Sequence, residues 1–168
     1  MRWILDACTL IYLVKTDLIE HFIMLLKYPL VIDSSVFKEV VIDGKVNTHP
    51  DAFKAENILE KFKIPVINID ISKDVYLFRD AGETSCYILA KEEGICMTSD
   101  ERAYKKFITL GMNVIRLDTF YFQKCIDGVL NKKEFLEILR RLEENNATKP
   151  KSILFFIEQL QKREINND

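Results

Sequence analysis

Four acidic residues of this chain stand where a short apolar stretch gives way to a helix signal. They are Asp6 after Trp3-Ile4-Leu5, Glu39 within Val36-Phe37-Lys38-Glu39-Val40-Val41, Glu83 in Gly82-Glu83-Thr84-Ser85, and Asp100 after Met97-Thr98-Ser99. Where strands and helices alternate, strand ends meet along one edge of the sheet, so acids far apart in sequence can converge there. Carboxylates brought together repel one another unless a cation holds them. An all-oxygen ligand set suits Mg²⁺ or Mn²⁺, which keep several waters, and the chemistry it supports on a phosphodiester is in-line hydrolysis.

Taken singly, each acid also has a plainer reading. Asp80 and Glu83 have capping-box spacing, as do Thr98 and Glu101; Asp100 would favour a helix dipole from the first turn, and Asp6 could cap the helix that follows it. Glu39 fits this reading least. Helical spacing sets it beside Val36 and Val40, at the border of a face that should pack on the sheet, where an unpaired carboxylate is costly. Other chemistries leave no trace: the chain has no phosphate-binding glycine loop, dinucleotide fingerprint, nucleophile elbow or H-E-x-x-H helix. Its two histidines, His21 in a helical stretch and His49 in a loop, do not point to imidazole-dependent hydrolysis.

The elements that would position the acids follow a βαβ rhythm. Candidate strands are Trp3 to Leu5, Leu30 to Ile32, Val66 to Ile69, Ile95 to Thr98 and Asn113 to Arg116, short and mostly apolar as buried parallel strands are. Helical patterns run from Thr9 to Lys27, Ser35 to Ile42, Asp51 to Phe62, Glu83 to Glu93 and Asp100 to Leu110. Gly94 and Gly111 stand at expected C-terminal caps, and Asp43 to Pro50 reads as a loop. After Asp118 the chain turns helical, with Asn131 and Glu134 spaced as a capping box and Pro150 opening a last helix. The expected fold is α/β, a three-layer α/β/α arrangement around a small, doubly wound parallel sheet of about five strands, plus C-terminal helices. Residues 1–128 form the expected catalytic portion and 129–168 a helical extension. The 168 residues are 48% hydrophobic, enough for a real core. With 24 basic residues against 26 acidic and a net charge of −2, a nucleic-acid contact must come from a local basic patch. Cys8, Cys86, Cys96 and Cys125 form no CxxC pair and read as reduced thiols of a cytoplasmic protein, and no apolar run is long enough to span a membrane.

At these same residues the sequence resembles the PIN-domain family, especially the compact single-domain nucleases related to VapC-type toxins. The resemblance is carried by Leu5-Asp6-Ala7-Cys8-Thr9-Leu10-Ile11, Val36-Phe37-Lys38-Glu39-Val40, Gly82 to Ala90, and Thr98-Ser99-Asp100-Glu101-Arg102-Ala103 leading to Gly111-Met112-Asn113-Val114. It implies Mg²⁺ or Mn²⁺ bound by Asp6, Glu39, Glu83 and Asp100, with Glu101 as an outer ligand or water positioner, and cleavage of RNA. Asp118, after the fifth strand, is a further candidate. Cys8 occupies a position where the family favours a small polar residue, and Thr9 could compensate at the substrate. Arg102 and Lys105 are candidate phosphate contacts. The resemblance also implies a small antitoxin protein as a possible partner. The C-terminal apolar residues, Phe135 to Leu142 and Ile153 to Ile157, either cover the chain's own core or form an interface, a homodimer among the choices. Two rivals stand beside this reading. One is a binding module with a silent PIN-like site; the other is a haloacid-dehalogenase-like phosphatase, which needs an acid where this chain has Cys8.

Overall fold

The runs Trp3–Leu5 and Leu30–Ile32 are buried throughout, and a backbone sealed from water on both faces must satisfy its polar groups with other strands. The computed structural model describes residues 1–74, 76–78, 81–91 and 93–166, with side chains to Arg163. It pairs five strands, all parallel: β1 (Arg2–Leu5), β2 (Leu30–Asp33), β3 (Val66–Ile67), β4 (Gly94–Met97) and β5 (Val114–Ile115). Their order is β3-β2-β1-β4-β5. The chain builds outward from β1 to β3 and then re-enters on the other side of β1 as β4. Helices flank this sheet in the expected three-layer α/β/α arrangement: α1 (Ala7–Lys15), α2 (Ile19–Met24), α3 (Ser34–Phe37), α4 (Gly44–Val46), α5 (Pro50–Lys61), α6 (Ala81–Lys91) and α7 (Glu101–Thr109). Between α3 and α4 the coil widens into a π-helical stretch, Lys38–Asp43.

Contacts group the chain into two units, Met1–Arg116 and Leu117–Asp168. The helix α8 (Leu117–Ile126) therefore groups with α9 (Lys132–Glu144) and α10 (Pro150–Asn166). Within the second unit Asn131 and Glu134 form the expected reciprocal cap, with N–H to oxygen distances of 2.9 and 2.8 Å. Its core includes Phe122, Phe135 and Phe156, whose ring centroids lie 4.7 to 5.9 Å apart.

Local signals misled in three places. The single helix expected from Thr9 to Lys27 is two, because Asp17 takes a left-handed conformation at φ 57° and the Thr16 hydroxyl closes the first by donating to the Tyr12 carbonyl at 2.7 Å. The expected loop from Asp43 stays helical through Val46. Gly44 is no turn residue there; a Cβ on it would sit 2.8 Å from the Ala52 Cβ, so its bareness lets α5 approach. Gly94 is likewise not a helix cap but the first residue of β4, where a Cβ would lie 2.2 Å from the Ile4 Cδ1 and 2.8 Å from the Ala90 Cα. Glu93 takes the left-handed turn before it, at φ 76°. Gly111 does close α7, at φ 71°. Among the described residues no helix is long and apolar enough to cross a membrane.

Candidate metal centre

The strand order places a reversal point between β1 and β4, and in open parallel sheets the crevice beyond the carboxyl ends at such a point is where ligands bind. Asp6 directly follows β1, and Asp100 follows β4 by three residues. Glu83 stands in the first turn of α6, the helix that leads into β4, and Glu39 stands in the π-helical stretch beyond β2. Such widened turns recur at functional sites. All four acids line one cleft of about 160 Å³, together with Ala7, Cys8 and Gly82.

Asp6 is the anchored member, only 6% exposed. Its Oδ1 accepts the Thr9 N–H at 2.8 Å, which makes it the cap of α1 as well as a wall of the cleft. Its Oδ2 accepts the Cys8 thiol at 3.0 Å and a short bond from the Thr98 hydroxyl. Burial pushes the Asp6 carboxyl up, while the bonds from Cys8, Thr98 and Thr9 pull it back down. Burial, then the neighbouring Asp6 charge, pushes the Cys8 thiol up, so Cys8 stays a donor at neutral pH. Tyr12, one turn further along α1, has its phenol pushed up by partial burial and then by Cys8, Asp100 and Asp6.

The other three acids are more open. Glu83 is half-buried, and Glu39 and Asp100 are exposed. The expectation of a buried Glu39 demanding a partner is therefore corrected. The π-helical turn carries its side chain to the rim of the cleft rather than into the packed face held by Val36, Val40 and Val41. Asp100 is the cap of α7, its Oδ1 accepting the Ala103 N–H at 2.7 Å, so the cap expected at Thr98 is displaced by two residues. Asp80, the other half of an expected capping pair, lies outside the described residues. Glu101 is half-buried, does not line the cleft, and pairs with Lys105 at 3.0 Å.

The substrate candidates separate. Thr9 is fully buried; its hydroxyl donates to the Met97 carbonyl at 3.3 Å and lies 3.2 Å from the Ser99 Oγ, tying α1 to the segment that carries Asp100. Arg102 is exposed and lines a neighbouring hollow with Phe78, Glu83, Ala103 and Lys106, whereas Lys105 lines neither that hollow nor the acid cleft. Asp118 belongs to the second unit, where its carboxylate accepts the Thr119 N–H at 2.7 Å and the Thr148 hydroxyl at 2.7 Å. Asp118 is 1% exposed, and these bonds tie the first turn of α8 to the segment before α10.

Sequence reasoning passed over two residues. Thr98, fully buried, holds Asp6 and accepts the Asp100 N–H at 3.2 Å, so one hydroxyl joins two acids of the cleft. Asp33 ends β2 as Asp6 follows β1 and could have been found by the same signal, an acid closing an apolar strand. It is 2% exposed, caps α3 through the Ser35 N–H at 2.7 Å, and does not line the cleft.

Four carboxylates on one cleft with no thiolate or imidazole among them fit an oxygen-preferring divalent cation. Among the described residues no group of three His, Cys, Asp or Glu side chains is drawn together closely enough to hold an ion unaided. A cation there would complete its shell with water, as Mg²⁺ ordinarily does. Compared with known proteins, the chain matches a family model described as PIN domain over residues 2–154. No curated protein matches it significantly. The match spans the sheet, the cleft and most of the C-terminal helices, and on it the chain belongs to the PIN-domain family, whose fold is of the nuclease type.

Proposed function

We propose that this chain is a metal-dependent endoribonuclease that hydrolyses phosphodiester bonds of single-stranded or structured RNA, with Mg²⁺ or Mn²⁺ held by Asp6, Glu39, Glu83 and Asp100. The observation that carries the reading is the convergence of these four acids on one cleft at the carboxyl edge of the sheet. When bound, the cation supplies neutralisation of phosphodiester charge and acidifies a water. Asp6 is the preorganised ligand, its carboxylate oriented by Thr9, Cys8 and Thr98. Glu83 would complete the wall of the site, and the exposed Glu39 and Asp100 would hold the cation from the rim of the cleft. Glu101, outside the cleft lining and paired with Lys105, would act only as an outer ligand or water positioner.

Cleavage of a fluorescent single-stranded RNA tests the reading. It should require Mg²⁺ or Mn²⁺, stop in chelator, and fall by about 100-fold or more in Asp6→Asn and Asp100→Asn with the far-UV spectrum unchanged. Retained cleavage by both variants overturns it. We further assign the chain the role of toxin in a cytoplasmic toxin–antitoxin pair, acting as a homodimer until a small antitoxin covers it. Expression alone should then arrest growth, and expression of Asp6→Asn should not. A second reading is a non-catalytic nucleic-acid or protein binding module with the same fold, in which the exposed Glu39 and Asp100 hold no ion. Calorimetry showing no Mn²⁺ binding at millimolar concentration selects that one.

A further inference from the structure

The acid cleft has a neighbour. Glu83 forms part of a second hollow, also of about 160 Å³, whose other lining residues are Phe78, Arg102, Ala103 and Lys106. Among the described lining residues its chemistry is the reverse of the cleft's, with two cations and one carboxylate. Arg102 makes no ion pair with a described residue, and Lys106 is held over the Phe78 ring, its Nζ 4.7 Å from the centroid. Lys105, the third cation on that stretch of α7, instead pairs with Glu101 and lies outside the hollow.

We propose that this hollow is an anion subsite that takes the phosphate next to the scissile one in a single-stranded RNA, gripped by Arg102 and Lys106. The inference rests on the nuclease reading for its placement along the strand, and on the hollow itself for its chemistry. A base is the wrong occupant. Phe78 is only 7% exposed, with one face under Lys106 and with Phe107 and Tyr87 at centroid distances of 5.0 and 5.6 Å, so it offers no open ring for stacking. The volume also falls below the roughly 300 Å³ at which pockets for whole small molecules begin. A phosphate fits both constraints, since a guanidinium can grip two of its oxygens while the ammonium acts as a point charge. The positions on α7 agree with this. Arg102 and Lys106 are one turn apart and so share a face of the helix, and Glu83 joins that face to the acids. A cation held at Glu83 would offset the carboxylate charge in the wall that the hollow shares with the acids.

The test is binding of a short fluorescein-labelled single-stranded RNA to the full chain in chelator, read by anisotropy across a KCl series. It needs no cleavage. The double variant Arg102→Gln/Lys106→Gln should weaken binding by about tenfold and lower the slope of log affinity against log salt by about 0.7 for each cation removed. Lys105→Gln should change affinity by less than about twofold. Unchanged binding by the double variant, an equal loss in Lys105→Gln, or no measurable binding by the parent chain at low salt would each overturn the subsite. If the double variant loses affinity as expected while the parent chain cleaves nothing in Mn²⁺, the nuclease reading falls and the anion site stands. If the parent cleaves RNA and the double variant keeps its KM, the reverse holds.

Discussion

Removing the Thr98 hydroxyl should be the most damaging small change that can be made near the acids. Thr98→Val keeps shape and burial but deletes the donor to the Asp6 Oδ2 and the acceptor of the Asp100 N–H. A hydrogen bond to a charged group contributes about 1.5–3 kcal/mol and a neutral one about 0.5–1.5 kcal/mol, so the two together give a loss of about 3 kcal/mol. For a chain of this length that is a fall of roughly 6–12 °C in Tm. Thr98→Ser retains both bonds and sheds one methyl, costing only about 1 kcal/mol. Urea unfolding of both variants in chelator at neutral pH measures the difference, and a double-mutant cycle with Asp6→Asn should return a coupling of at least about 1 kcal/mol. The same substitution loosens a metal ligand. Loss of an orienting partner typically lowers metal affinity about 10- to 100-fold, so at saturating Mn²⁺ the thermal gain of Thr98→Val should trail the parent's by about 1.4–2.7 kcal/mol. A cost below about 1 kcal/mol for Thr98→Val, or a coupling near zero, would refute the claim that this hydroxyl holds Asp6.

Three further outcomes follow from the packing and charge of the molecule. Gly94→Ala should lose about 2–3 kcal/mol in denaturant titration, because its Cβ would collide with the backbone of Ala90 as well as the Ile4 side chain. Phe135→Ala should cost about 3–5 kcal/mol, whereas Phe155→Ala, at a position 53% exposed, should cost less than about 0.5 kcal/mol; light scattering of the same Phe155 variant shows whether that ring serves a dimer. Hydrogen bonds from Arg140, then from Arg141, hold the Glu137 carboxyl at about 2 against its ordinary 4.5. The carboxyl is depressed in the folded state, so its contribution to stability is present above 4.5 and disappears as pH falls toward 2. Glu137→Gln should flatten the pH dependence of unfolding in that window, and by a small, salt-sensitive amount because the cluster is exposed.

Much of the architecture was legible in the chain because its signals are local. Five apolar runs bounded by polar residues became five parallel strands, and Asn131 with Glu134 became the cap their spacing required. The four acids were legible for a related reason. Asp6, Glu83 and Asp100 stand at or within a turn of an element's end and Glu39 lies in the helical segment that follows β2, and the ends of elements in an alternating fold gather at the sheet edge. Helix continuity was less legible, since breaking at Asp17 and continuing through Gly44 depend on which neighbours are packed alongside, and a glycine has the same letter whether it turns the chain or lets a helix approach. Partners of long sequence separation were not legible at all. Thr98 reaches Asp6 across 92 positions, and nothing local distinguishes it from any threonine at the end of a strand. The exposure of Glu39, the inward commitment of Thr9 and the pairing of Lys106 with Phe78 were decided in the same way, by how backbone segments lie against one another. Amino-acid type states what a side chain can do; only the packed chain states what lies within reach of it.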